Sequence, residues 1–361
     1  MITTVWLHMW DIYRGVIDNG TPVIGRRDGA RMEIGYTLMT EQSGPIDLVR
    51  YAVAAEQAGF AFEVCSDHYF PWLDAQGHAP NAWTVLGAVA HATEHVELMT
   101  YVTCPIMRYH PTVVAQQAAT MGLLSDGRFT LGLGSGENLN EHVVGVGWPS
   151  VTVRHEMLVE AMKIINALFD GGYVTRRSRY YQVDSAKLWD LPTQRVPIAA
   201  AVSGAQSCKL LSPLADHMIA VEPNAELVMM WDAARPGKGT SRRIGQLPIC
   251  FDTDRDTAIA RAHEQFRWFA GGWKVNAELP STAGFAGASQ FVRPDDIAEQ
   301  ISCGPDVATH VAAARPFAEA GFTDLALVQI GGAPQHQQPF LEYARDKLLP
   351  AMRTEFATGQ P

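Results

Sequence analysis

An α/β fold of the (β/α)8, or TIM barrel, type is what the sequence predicts, on three observations. From Met32 onward, short β-like apolar runs alternate with amphipathic helical stretches; eight such runs can be counted; and most close at a polar or glycine-rich segment. The 361 residues suit one barrel-sized domain as well as two ordinary ones, and 47% apolar against 18% charged residues supply a core. No repeat or low-complexity linker divides the chain, so residues 32–356 are read as a single domain.

The first 31 residues stand apart. Arg26-Arg27 is followed by Asp28-Gly29-Ala30-Arg31 rather than by an apolar stretch, which excludes a twin-arginine export signal. Because Met32 directly precedes a clean strand, residues 1–31 are expected to be a loosely packed arm or the product of an upstream start. Strands are then expected at 33–38, 60–65, 96–103 and 129–133, with helices at 46–58, 82–93, 111–124 and 152–169. The stretch 173–188 alternates polar and aromatic residues around Arg176-Arg177-Ser178 and reads as a surface hairpin, an insertion covering about 172–190. Strands resume at 197–202, 217–221, 247–251 and 324–329, and a last helix covers 337–352. Residues 271–291, rich in Gly, Ala, Ser and aromatics, lack periodicity and are read as a second insertion near the barrel mouth.

Charge and cysteine content exclude several partners. A formal charge of −10, from 28 Lys and Arg against 38 Asp and Glu, with no basic stripe, argues against nucleic acid. No run of about 18 uncharged apolar residues marks a membrane span. The five cysteines, Cys65, Cys104, Cys208, Cys250 and Cys303, are odd in number and widely spaced, which suits buried reduced thiols in the cytoplasm.

Chemistry is concentrated at Cys65-Ser66-Asp67-His68-Tyr69-Phe70-Pro71-Trp72, where the second strand stops at an acid, an imidazole and an indole. A polar turn would leave the same trace, and an isolated tryptophan commonly only packs. Gly132-Leu133-Gly134-Ser135-Gly136-Glu137 follows a strand, but its third glycine comes one residue too early for a dinucleotide fingerprint and no helix is expected directly behind it. We read its glycines as allowing close approach to a ligand, leaving Glu137, Asn138 and Asn140 around the mouth. Val202-Ser203-Gly204-Ala205-Gln206-Ser207 ends the fifth strand and opens a helix, either as an anion site or with Ser203 as a simple N-cap. His91-Ala92-Thr93-Glu94-His95 matches a zinc-peptidase pattern but sits at the far end of an outer helix, so no metal site is expected.

These residues resemble a known family: the luciferase-like, flavin- and deazaflavin-dependent barrel enzymes, and within it the coenzyme F420-dependent glucose-6-phosphate dehydrogenase-like group. The resemblance spans about 32–352 and rests on Ser66-Asp67-His68 with Pro71-Trp72, Gly77-His78-Ala79-Pro80, Arg108-Tyr109 with Pro111, Ala119-Thr120-Met121-Gly122, and Gly134-Ser135-Gly136-Glu137 with Leu139-Asn140-Glu141. It implies that Asp67, His68, Trp72 and Glu137 line the face of coenzyme F420, and Glu41 matches as well. It implies a cis peptide at Tyr101-Val102, before Thr103, supporting the ring, although Tyr101 departs from the usual small residue. It also implies that Gly136 and Asn140 border the coenzyme and that Ser203, Gly204, Ala205 and Gln206 hold its phosphate. In the implied hydride transfer between an alcohol carbon and the deazaflavin, His68 is the general base, Asp67 orients it or contacts the coenzyme, Glu137 gives a proton near the ring nitrogen and Trp72 packs a small-molecule substrate. A homodimer is implied too.

An FMN-dependent monooxygenase or reductase, and a non-catalytic deazaflavin-binding protein, remain open alternatives. The resemblance breaks at the sugar-phosphate grip, where Asn224 and Gln300 replace cations, Glu222 adds negative charge and Lys274 is the nearby cation. A neutral or weakly polar alcohol, or a sugar phosphate held differently, is expected instead.

Overall fold

The computed structural model describes residues 32–357 apart from Pro236 and Lys238, so the expected arm at 1–31 lies outside the described residues. The barrel strands are β1 (Glu33–Leu38), β2 (Phe62–Cys65), β3 (Glu97–Thr100), β4 (Phe129–Leu133), β5 (Ile198–Ala201), β6 (His217–Ile219), β7 (Arg243–Cys250) and β8 (Asp324–Gln329). Each runs parallel to the next, and β8 returns to pair with β1, which closes the ring. Strands covered on both faces read as near-continuous apolar runs, and all six residues of β8 are buried. Inside the ring, Phe62, Val64, Met99, Tyr101, Ala199, Ile219, Ile244 and Ala326 form one packed cluster. Below it, the Arg242 guanidinium joins Glu97 (2.7 Å) to Asp324 (2.6 Å), tying together the starts of β3, β7 and β8.

Three elements differ from expectation. β7 begins at Arg243 rather than 247, because the Arg243 side chain turns outward to Asp232 while its neighbour Ile244 enters the core. The stretch at 271–291 is helical: a 3-10 turn at Arg267–Gly271 is followed by short helices Trp273–Asn276 and Thr282–Ala288, each too brief to show a period. The last helix is interrupted by a π turn at Ala344–Leu348 between Pro334–Tyr343 and Leu349–Glu355. The expected hairpin forms from Val174–Arg177 and Gln182–Ala186, outside the barrel sheet.

All five cysteines are buried and free of disulfides. Among the described residues, no helix is long and apolar enough to cross a membrane.

Glu63 on β2 is fully buried, and neither carboxylate oxygen has a hydrogen-bond partner. Burial pushes its carboxyl well above the ordinary range, helped by the charge of Glu56 and only partly opposed by Arg128. Folding must therefore keep a proton on Glu63 that the unfolded chain releases, so this residue opposes stability increasingly as pH rises above its unfolded value. Glu63→Met should raise stability at pH 8 by about 1–3 kcal/mol, the usual cost of a buried unsatisfied polar group. A urea midpoint that does not increase would refute this.

Candidate active site

The carboxyl ends of the strands bring the sequence-predicted residues to one mouth. After β1 the chain turns through Thr40 to Glu41, which is buried. Its carboxylate accepts hydrogen bonds from the Thr40 hydroxyl (3.2 Å), the Ser66 hydroxyl and the Trp72 indole N–H (3.1 Å). The loop after β2 carries His68, whose Nε2 lies 3.5 Å from Glu41 Oε1 and 3.5 Å from Glu137 Oε2. His68 Nδ1 is 3.1 Å from the carbonyl of Phe70. A carbonyl only accepts, so Nδ1 carries the hydrogen; the tautomer is assigned from this contact, and Nε2 is the nitrogen turned toward both carboxylates. The Trp72 ring packs against His68 at 4.8 Å, stacks on Trp268 at 4.1 Å and 8°, and meets Phe285 edge-on at 5.1 Å.

Asn140 ties the two halves of this constellation. Its Oδ1 accepts from the N–H groups of Tyr69 (2.8 Å) and Phe70 (3.3 Å), while Nδ2 donates to Glu137 Oε2 (2.8 Å). Expected to border the coenzyme, it is buried and fixes the positions of the His68 loop and Glu137. The expected role of Asp67 in orienting His68 is also corrected. Its carboxylate, with no exposed side-chain surface, is taken up by the Thr103 hydroxyl (2.7 Å), the Arg108 guanidinium (3.1 Å) and the Tyr109 hydroxyl (3.4 Å). Thr103 is equally buried, with its hydroxyl donating to Asp67.

The peptide joining Tyr101 to Val102 is cis, as the resemblance implied. Tyr101 points into the barrel cluster, with its buried hydroxyl unpartnered, whereas Val102 is half-exposed. The glycines after β4 serve this bulge: a Cβ on Gly134 would stand 2.5 Å from the Val102 side chain, and one on Gly136, whose φ is +75°, would stand 2.4 Å from Cys104 Sγ. A four-residue helix, Asn138–Glu141, does open directly behind Glu137, contrary to expectation. At the end of β5, Ser203 is exposed and Gly204 starts the helix Ala205–Leu211. The Ser207 hydroxyl, not Ser203, accepts from the Ser203 and Gly204 N–H groups (3.1 and 3.2 Å), leaving Ala205 and Gln206 exposed at the turn. Of the residues at the expected phosphate grip, Asn224 caps the helix Ala225–Ala233 by accepting from Leu227 N, Gln300 donates to the Asp296 carbonyl, and Lys274 is exposed.

Sequence reasoning missed Trp268, Phe285 and Glu141. The first two lie far along the chain, Trp268 just before the aperiodic stretch and Phe285 within it, and no local pattern links them to Trp72. Glu141 is fully buried, and Arg108 stands between it and Asp67, with its backbone N–H 2.9 Å from Glu141 Oε2. One guanidinium serves two carboxylates, and burial pushes the Glu141 carboxyl up to about 7 against the pull of Arg108. Because the folded value is the higher one, Glu141 contributes stability below about pH 4.5 that is lost as pH rises through about 7. Glu141→Gln should remove that slope: relative to the parent, the variant should gain roughly 3 kcal/mol across this window. Parallel urea titrations at the two ends of the window that give equal differences would refute it.

The Luciferase-like monooxygenase family model matches residues 32–324. An F420-dependent glucose-6-phosphate dehydrogenase of Nakamurella multipartita is 34% identical over 350 residues, covering 91% of this chain and 98% of that protein. An F420-dependent hydroxymycolic acid dehydrogenase of Mycobacterium tuberculosis is 34% identical over 293 residues, 80% of each chain. Among solved structures, an F420-dependent secondary alcohol dehydrogenase in complex with an F420-acetone adduct matches with a TM-score of 0.82 at 27% identity, covering 90% of this chain and 99% of that one.

Proposed function

Because the chain belongs to the luciferase-like monooxygenase family, and its most similar relatives include F420-dependent dehydrogenases, we propose that it is a coenzyme F420-dependent oxidoreductase that moves a hydride between an alcohol carbon and the deazaflavin. The observation that carries the reading is His68 Nε2 set between Glu41 and Glu137, 3.5 Å from each, with Nδ1 fixed on the Phe70 carbonyl.

The residues present fit the coenzyme. Gly204 leaves open space where a Cβ would stand, with Ala205 and Gln206 exposed at a helix start where an anionic group is met by N–H groups. Val102 offers a half-exposed apolar floor, and the imidazole and indole stand at the same mouth. When bound, coenzyme F420 accepts or returns the hydride at its C5 carbon. His68 takes the hydroxyl proton of the alcohol at Nε2, and the charge gained there is balanced in place by the Glu41 carboxylate. Glu41, anchored by Thr40, Ser66 and Trp72, holds the indole in position through Nε1. Glu137, positioned by Asn140, holds or gives a proton on the opposite side. Trp72, backed by Trp268 and Phe285, forms an apolar wall that keeps water from the reacting carbon.

We extend the proposal to a cytoplasmic location, supported by five buried free thiols, which suit a reducing compartment, and to a homodimer, which rests on the family resemblance alone. A monomer at micromolar concentration in sedimentation would remove the dimer. The function itself is tested by titrating the purified protein with F420 and with FMN while following ring fluorescence, then offering a panel of alcohols. Binding of F420 over FMN, with F420 reduced by an alcohol, is expected. Preference for FMN favours a monooxygenase or reductase, and F420 binding without turnover on any alcohol or carbonyl favours a carrier.

A further inference from the structure

Resting on that reading, we propose that the alcohol carries a long apolar tail, and that an apolar collar outside the mouth receives it. The collar is built from two segments that each lead out of the site. One runs seven residues from Glu137 to Val144 and on through Val146 to Val151, which are 43%, 62% and 52% exposed. The other runs from Trp268, the ring stacked on Trp72, to Trp273 and Val275, 38% and 42% exposed. The segments are fastened together: Asn138 donates from its backbone N–H to the Ala277 carbonyl (3.0 Å) and from Nδ2 to the Glu278 carbonyl (2.9 Å), and Arg154 pairs with Glu278 at 2.8 Å. Five apolar side chains are thereby left to solvent on two cross-linked segments whose inner ends are the acid–base pair and the aromatic wall.

Grouped exposed apolar residues of this kind mark a binding surface rather than ordinary surface scatter. Continuity with the mouth selects the occupant: a chain attached to the carbinol and directed outward past Trp72 and Trp268 meets these side chains next. The charged groups point the same way. Glu278 is engaged by Arg154, Arg293 by Asp296, and Asn224 and Gln300 are turned to helix backbone, which leaves Lys274 as an exposed cation between Trp273 and Val275. A tail buried along such a surface gains affinity by about threefold to fourfold for each methylene that leaves water.

The test is a series of linear methyl carbinols from isopropanol to dodecyl chain length, measured as kcat/KM with F420. The affinity of the matching ketones is read in parallel from quenching of tryptophan fluorescence, which needs no turnover. Both quantities should climb with chain length. In the Val146→Asp, Val275→Asp double variant the climb should flatten for the longer chains, with isopropanol turnover and F420 affinity unchanged. Ketone affinity that is flat with chain length overturns the collar whatever the turnover, as does a climb the double variant leaves intact. Glucose 6-phosphate used more efficiently than every long carbinol also overturns it. A climb in ketone affinity without turnover of any alcohol supports the collar and instead sinks the dehydrogenase reading. A wild-type dimer that the double variant dissociates shows the collar to be an interface between two copies and overturns the proposal.

Discussion

His68→Ala is expected to lower kcat by roughly 10²–10⁴ while leaving F420 affinity within a few-fold of the parent. The loss follows from geometry. Nε2 is the nitrogen that the Phe70 contact leaves free for proton transfer, and Glu41 is already bound to Ser66 and Trp72, so it cannot replace the imidazole without abandoning the indole. Stability should change little, because Glu137 keeps Asn140 and Glu41 keeps its three donors. Added imidazole should restore part of the rate by occupying the vacated space. Unchanged turnover would remove His68 as the base; loss of F420 binding alongside turnover would make it a positioning residue.

The second large effect is on folding. Arg108→Met should destabilise the protein by roughly 3–5 kcal/mol, because Asp67 and Glu141, neither with exposed side-chain surface, lose the one guanidinium between them. The pH dependence separates this cause from lost packing. Glu141 takes up a proton below about 7, so the penalty should be smaller at pH 5 than at pH 8, whereas a packing defect costs the same at both. Equal losses at the two pH values, measured by urea unfolding, would sink the electrostatic account. The site should suffer with the fold, since the Asp67 carbonyl and carboxylate that hold the start of the His68 loop both rest on Arg108.

The barrel was legible in the sequence because its buried strands are unbroken apolar runs and its outer helices carry a clear period. β7 began earlier than expected because Arg242 and Arg243 look like a loop, although one closes the barrel floor and the other turns outward. The mouth was legible wherever its residues are clustered along the chain, as in Ser66 to Trp72 and Gly134 to Asn140. What could not be read was the direction each side chain takes. Asp67 looked like the partner of His68 by adjacency, yet successive residues leave a strand toward different neighbours, and Asp67 turned to Thr103 and Arg108. Trp268 and Phe285 were hidden for the opposite reason: their partner Trp72 is far away in sequence, and only the closed barrel brings them together.

The fastening of the first strand's loop to the last strand sets the order in which this site can come into being. Gln42, the neighbour of Glu41, donates to the Gln329 carbonyl (2.7 Å) across a sequence separation of 287 and accepts from Gly331 N (3.0 Å) across 289. The Tyr36 hydroxyl reaches Gln337 (2.6 Å), whose own amide returns to the Gln329 and Gly331 carbonyls. The three donors to Glu41 all come from the first two strands and their loops, whereas Gln42 beside it is held by the last strand and the loop that follows it. Only release of the final strand from the ribosome fixes the turn that carries Glu41. A fragment ending before β8 should on these grounds be inert, and adding the missing segment in trans should restore activity together with the anchoring of that turn.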